Sequence, residues 1–376
     1  MTTSAENYLQ HLDRICAETI APQAAEVDRD GAFPAASIAA LRAAGLMGAV
    51  SAPDVGGLGL GFRGAAAIVR RVAEDCGSTA MVLCMHYCGT AILEAHAAKE
   101  VRQAAAAGDH LSTLAFSEAG SRSHFWAPVG TALRNGGGVR LDARKSWVTS
   151  ASKATAYVWS SKPLQAEGLS TLWLVPTGAE GITVHGPFDG LGLRGNDSSA
   201  VSAERVRVPE SAMLGADGKG FDIMIGVVLP LFNVLNAACA IGLMEAAVRG
   251  TAEHAAGVRY EHLDSRLADL PTIRNYVARM RIKTDMARTL LDDTLSAVDT
   301  GRADMMLRVL ECKASAGEAA TEVLDLAVRV CGGAAFRKDL AVERYFRDTR
   351  AAGVMAPTTD VLYDFIGKIA CGMPLF

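Results

Sequence analysis

The sequence carries no excess of positive charge, no closely paired cysteines, no basic-then-apolar pattern in its first residues and no unbroken apolar run of membrane-spanning length. Lys and Arg number 37 against 41 Asp and Glu, a formal charge of -4. That balance offers no overall basic field to nucleic acid or to an anionic membrane, although it leaves room for a local basic pocket that takes a phosphate. The eight cysteines, Cys16, Cys76, Cys84, Cys88, Cys239, Cys312, Cys331 and Cys371, form no Cys-x-x-Cys pair. Most sit in apolar strings such as MVLCMHYCG and LNAACAIG, as the reduced core residues of a cytoplasmic protein do. Acids stand early, at Glu6 and Asp13, with neither a basic stretch nor an apolar core before them, so neither export nor membrane spanning is expected. No run reaches ~18 apolar residues without a polar break. Repeats, low-complexity tracts and long flexible linkers are also missing, and no residue set reads as a metal site, which points to units packed into one body.

What the 376 residues do have is material for two or three cores, being 50% hydrophobic and 21% charged. Their texture changes twice. The first 112 residues read as helical, with apolar residues three and four apart in SIAALRAAGLMGAV and RGAAAIVRRVAEDCG, separated by Gly and Pro. Residues 113–222 carry short β-branched or alternating runs, among them VRLDARKSWVTS, STLWLVP and AERVRVP, punctuated by NGGG, LGLRGN and GADGKG. Such spacing predicts a small antiparallel barrel or sandwich. Residues 223–376 return to the helical period in long segments, as a four-helix bundle with its own core requires. The expected fold class is therefore α+β, in the order helical, β, helical.

Five strings then stand out together. They are APDVGGLGLGFRGAAAIVRRVAEDCGSTAMVLCMH from Ala52, FSEAGSRSH from Phe116, KSWVTSAS from Lys145, FDGLGLRGNDSSAVSAERVRVPESAMLGADGKGF from Phe188, and CGGAAFRKDLAVERYFRDTR from Cys331. Each alone is weak, since a Gly-Gly turn or a Trp in a strand occurs in many folds. In this order and register they resemble the acyl-CoA dehydrogenase family over essentially the whole chain. The resemblance implies FAD as cofactor, a CoA thioester as substrate, and a dimer or tetramer with FAD at subunit boundaries.

It also implies roles. Trp147 would stack on the flavin ring while Ser117 and Thr149 hydrogen-bond its edge, where donors stabilise charge on the reduced ring. The bland alternative is that Trp147 fills a core and both hydroxyls satisfy turns. Arg259 and the pair Gly332, Gly333 fit the places that reach the FAD diphosphate, because a turn without Cβ lets backbone N–H groups approach phosphate; Arg259 is otherwise an ordinary surface arginine. Thr358 and Asp360 fall where the family contacts the dinucleotide, with Asp360 meeting a sugar hydroxyl or capping the helix that follows. Ser123 stands at the place that touches the pantetheine arm, with Phe125 and Trp126 beside it in place of small residues.

The departure lies at the proton acceptor. Family members remove the α-proton of the acyl group with a glutamate in a Tyr-Glu-Gly-Thr string, and here that string reads Met355-Ala356-Pro357-Thr358. Some relatives place the glutamate just before an arginine opening the first bundle helix, and Phe232 and Asn233 stand there. With both carboxylates missing, His86 and His124 are the candidate replacements, as base or as hydrogen-bond donor; His86 is equally readable as a satisfied core histidine and His124 as a loop residue facing phosphate or water. Three readings remain: a thioester dehydrogenase with a displaced base passing electrons to an electron-transferring flavoprotein, a flavin oxygenase using molecular oxygen, or a non-catalytic binding relative.

Overall fold

The computed structural model describes residues 7–121 and 124–375. Six helices come first: α1 (Tyr8–Ile15), α2 (Ala21–Asp30), α3 (Ala35–Ala43), α4 (Gly61–Ala73), α5 (Gly77–His96) and α6 (Lys99–Ala107). Alanine and leucine favour helix because they lose little side-chain freedom in it. Glycine supplies the stops. Gly31 and Gly108 take left-handed backbone, φ 61° and 75°, just past α2 and α6. A wider turn, Cys16–Ile20, joins α1 to α2 without a break.

Eight strands follow: β1 (Ser112–Ala115), β2 (Thr131–Asn135), β3 (Gly138–Val148), β4 (Ala156–Ser161), β5 (Thr171–Pro176), β6 (Ile182–His185), β7 (Ser199–Val208) and β8 (Met213–Leu214). They form two four-stranded sheets, ordered β1-β4-β5-β8 and β2-β3-β7-β6. The expected antiparallel barrel is corrected in two respects. The sheets do not close on each other, and β1 runs parallel to β4, with Ser112 opposite Ala156. The reason is topological: β1 leaves the helical unit and meets β4 only after the β2–β3 hairpin has crossed to the other sheet, which gives a parallel pair. Sheet one is buried on both faces. Leu114, Val158 and Leu172 join the helical core, while Ala115, Tyr157, Trp159 and Trp173 pack with Leu141, Val148, Val201 and Val206 of sheet two.

The last part is helical: α7 (Gly220–Ile223), α8 (Leu229–Gly257), α9 (Pro271–Thr300), α10 (Met305–Cys331), α11 (Val342–Val354) and α12 (Thr359–Ala370), with a short ribbon of β9 (Arg259–Tyr260) and β10 (Ser265–Arg266) between α8 and α9. Pro271 opens α9, where its missing N–H costs nothing. The stretch Gly220–Gly257 is long and apolar enough to cross a membrane by length and composition, with a mean hydropathy of 2.0, but 83% of that window is buried inside the protein. It is the central helix, packed against α4, α5, α9, α10 and α11.

Residues of α11 join all three parts. Arg347 pairs with Asp28 of α2 at 2.6 Å and donates to the Leu191 carbonyl at 3.0 Å. Its neighbour Asp348, buried at 4% exposure, accepts from the Leu193 N–H at 2.6 Å, and burial raises that carboxyl to about 6. The five-string register of the sequence thus ends in a clamp that fixes the loop before β7 against the bundle.

Candidate active site

The candidate residues gather at two places in the fold. The first lies at the ends of β1 and β3. Glu118 reaches Lys145 Nζ at 2.6 Å, and Lys145 also donates to the carbonyl and hydroxyl oxygens of Ser160 at 2.7 and 2.9 Å. Glu118 takes the Val129 and Gly130 N–H groups on its other oxygen, at 2.7 and 3.0 Å. Both side chains are buried, and desolvation pushes the Lys145 ammonium down to about 8 against the opposing pull of Glu118. This cluster locks the segment after β1 onto β3, and the Ser146 N–H donates to the Ser117 carbonyl at 2.8 Å.

The ladder between β3 and β7 is irregular between Lys145 and Val148, and Trp147 adopts φ 55° there. A tryptophan at positive φ is uncommon, and the bulge re-aims its side chain outward. Trp147 is 73% exposed and meets the Phe188 ring edge-on, the centroids 6.3 Å apart. Its position excludes the reading of Trp147 as core filler. Thr149 is buried, its hydroxyl 3.3 Å from that of Ser198, and its carbonyl accepts from the Thr113 hydroxyl at 2.7 Å. Ser117 is half-buried. An open indole face, on a strand end that the Ser146 N–H ties to Ser117 and two residues before Thr149, fits a flat, heteroatom-edged ring such as isoalloxazine.

The second is where α8 meets the turn between α11 and α12. Lys313 of α10 is buried, and its Nζ donates to the carbonyls of Ala352, Met355 and Pro357 at 3.2, 3.0 and 2.7 Å. Ala352 lies in the last turn of α11 and Met355 and Pro357 follow it, where an ammonium is favoured by the helix C-terminus. The same Nζ lies 5.9 Å from the Phe232 ring centroid. Burial lowers Lys313 to about 7. Asn236 donates to the Met355 sulfur at 3.4 Å. The two positions that lack a carboxylate, Phe232–Asn233 and Ala356, are therefore gathered at one place. Asn233 is fully buried, and neither its amide oxygen nor its amide nitrogen has a partner among the described residues.

The two histidines separate. His86 is fully buried; its Nδ1 accepts from the Ser112 N–H and its Nε2 faces the Met47 carbonyl, each at 3.1 Å, which assigns the proton to Nε2. Burial pushes its pKa down to about 4. With both nitrogens engaged by backbone, His86 is the satisfied core histidine and has no lone pair left for a substrate proton. His124 is exposed and meets Trp126 edge-on, ring centroids 5.2 Å apart. Phe125 and Trp126 are buried: Phe125 stacks on Phe116, and Trp126 packs on Phe365 of α12 at 5.9 Å. They brace the loop. Ser123 lies outside the described residues.

The diphosphate candidates are open on the surface. Arg259 sits on the β9–β10 ribbon, half-exposed and paired with Asp264 at 2.8 Å. Gly332 has φ 54°, and no atom lies within 4 Å of a Cβ built on it or on Gly333, so the turn leaves room for a phosphate. Thr358 is the residue before α12 and Asp360 lies in its first turn, where a carboxylate suits the helix dipole. The sequence reading passed over Lys313, Glu118, Lys145 and Asn236. Lys313 had a signal, a lysine among Leu310, Ala314, Ala316 and Gly317 on the apolar face of a helical repeat.

Acyl-CoA dehydrogenase domains match along the chain: the N-terminal domain over residues 2–107, the middle domain over 113–206 and the C-terminal domain over 218–370. The chain is 28% identical over 350 residues to the mitochondrial short-chain specific acyl-CoA dehydrogenase of Homo sapiens, covering 90% of this chain and 83% of that one. It is 24% identical over 376 residues to cyclohex-1-ene-1-carbonyl-CoA dehydrogenase of Syntrophus aciditrophicus (strain SB), covering 98% and 90%. The solved structure of butyryl-CoA dehydrogenase from Megasphaera elsdenii shares the fold, with a TM-score of 0.91 at 20% identity over 99% of both chains.

Proposed function

The chain belongs to the acyl-CoA dehydrogenase family, and on that premise we propose that it oxidises or oxygenates a CoA thioester without a carboxylate at either customary base position. It is a FAD-dependent oxidoreductase. FAD supplies two-electron acceptance and, once reduced, reactivity toward oxygen. In this reading Trp147 covers one face of the ring, and Thr149 and Ser117 donate to its edge. Arg259 and Gly332–Gly333 serve the diphosphate, completed by a second copy of the chain in a dimer or tetramer, and Thr358 and Asp360 serve the dinucleotide. Ser123 receives the CoA arm.

The observation that carries the proposal is the meeting of Phe232 with the turn on either side of Ala356 at the Lys313 ammonium, with no acid at the two base positions. A glutamate that takes the α-proton needs to sit within hydrogen-bond reach of it, and no side chain at those positions can do so. His124 is then the remaining candidate base for a dehydrogenase that passes electrons to an electron-transferring flavoprotein. The second reading, an oxygenase, is favoured by the engagement of both His86 nitrogens, which removes one replacement base. Anaerobic mixing of the holoprotein with acyl-CoA esters decides between them. Bleaching of the flavin before air is admitted supports the dehydrogenase; product that forms only after external reduction and admission of oxygen supports the oxygenase. A flavin that responds to no thioester under either condition refutes both.

A further inference from the structure

Asn233 is the most exceptional buried polar group on the substrate side of the bundle. It has no solvent exposure, and its amide offers one acceptor and two donor hydrogens that meet no described residue. A buried amide left unpaired destabilises the fold, so such a group is retained where something else pairs with it. One turn further along α8, Asn236 leaves its amide oxygen unpaired as well, and its nitrogen reaches only the Met355 sulfur, a weak acceptor. Residues three apart share a helix face, so both amides stand on the side of α8 that meets the turn carrying Ala356. The residues four before and four after Asn233, which share its face of α8, are the buried and apolar Leu229 and Ala237.

The charge of the missing partner follows from Lys313. Its ammonium is the cation at this place, and its three hydrogens are already directed at the carbonyls of Ala352, Met355 and Pro357. Lys313 being engaged, a carboxylate on the acyl chain would meet no free cation among the described residues named here, whereas a neutral group that both donates and accepts matches an amide edge. We propose that the acyl group of the substrate carries a neutral donor–acceptor function, a hydroxyl, and that Asn233 is the residue that selects it. This rests on the reading of the chain as a thioester oxidoreductase and narrows its substrate to hydroxylated acyl groups.

The test uses the FAD-loaded protein, with butyryl-CoA compared against 3-hydroxybutyryl-CoA and 4-hydroxybutyryl-CoA, reading anaerobic dissociation constants from perturbation of the flavin spectrum. One hydroxylated ester binds at least roughly tenfold more tightly than butyryl-CoA, and Asn233→Leu lowers that preference ratio by roughly tenfold or more. Asn233→Ser, which keeps a small donor–acceptor group, retains part of the ratio. Without any thioester, Asn233→Leu melts at a higher temperature than wild type, because the unpaired amide is gone. A wild-type preference for butyryl-CoA, or an unchanged ratio in Asn233→Leu, overturns the proposal; so does a lower melting temperature in that variant, which would make Asn233 a structural residue. Absence of any spectral response to all three esters and to a panel of longer and cyclic acyl-CoA esters would instead remove the thioester reading itself.

Discussion

Replacing Lys313 by methionine isolates one buried charge. The ordinary lysine value of 10.5 falls to about 7 in the folded protein because burial strips water from the ammonium. Between those two values the unfolded chain holds a proton that the folded chain releases, so this lysine makes stability rise with pH, by about 1.4 kcal/mol per unit. Below about pH 7 both states are protonated and the cost of burying the charge is present in full, without a slope. Methionine has similar length and does not titrate. The stability difference between wild type and Lys313→Met therefore shifts in favour of wild type by about 2 kcal/mol between about pH 7.5 and 9, while every other titrating group cancels from the difference. Urea unfolding at fixed protein and FAD concentration measures it, since bound cofactor also shifts apparent stability. An equal difference at both pH values would refute the reasoning. It would mean that the three carbonyls at the end of α11 replace the lost water fully and hold the ammonium charged throughout.

Two further outcomes follow from the same geometry. Trp147→Ala weakens FAD binding by roughly tenfold with little loss of stability, because an indole 73% exposed contributes little to packing; titration of apoprotein with FAD checks it, and unchanged affinity would place the ring elsewhere. His86→Gln lowers stability by about 1 to 3 kcal/mol yet slows flavin reduction less than roughly threefold, since its bonds go to Met47 and Ser112; a base would cost about 100-fold or more. His86 and His110, a buried histidine just before β1, both take stability away as pH falls from about 6.5 toward 4, where the unfolded chain protonates them and the folded chain keeps them neutral; Asp348, raised to about 6, offsets part of that loss.

The helical–β–helical order was legible because period and residue type change sharply near residues 112 and 222, and helix or strand preference is local. Sheet closure was not, since the partner of β1 is a strand more than forty residues away and the choice between barrel and separate sheets lies in edge pairing. At the site, motif strings drew attention to Trp147 and Thr149, but nothing local says that a bulge turns the indole out while the threonine two residues on is buried. Phe232, Asn233 and Ala356 could be named as positions without carboxylates from the sequence alone. Their meeting could not be read, nor could the identity of the cation between them, because Lys313 lies on a different helix from either. His86 shows the same limit in reverse: its residue type allowed a base, and two backbone groups from distant segments removed that possibility. Which elements form, and which side chains are missing, is written in local composition; which groups are paired, neutral or left without partners depends on contacts across the chain, and so the tertiary structure alone decided it.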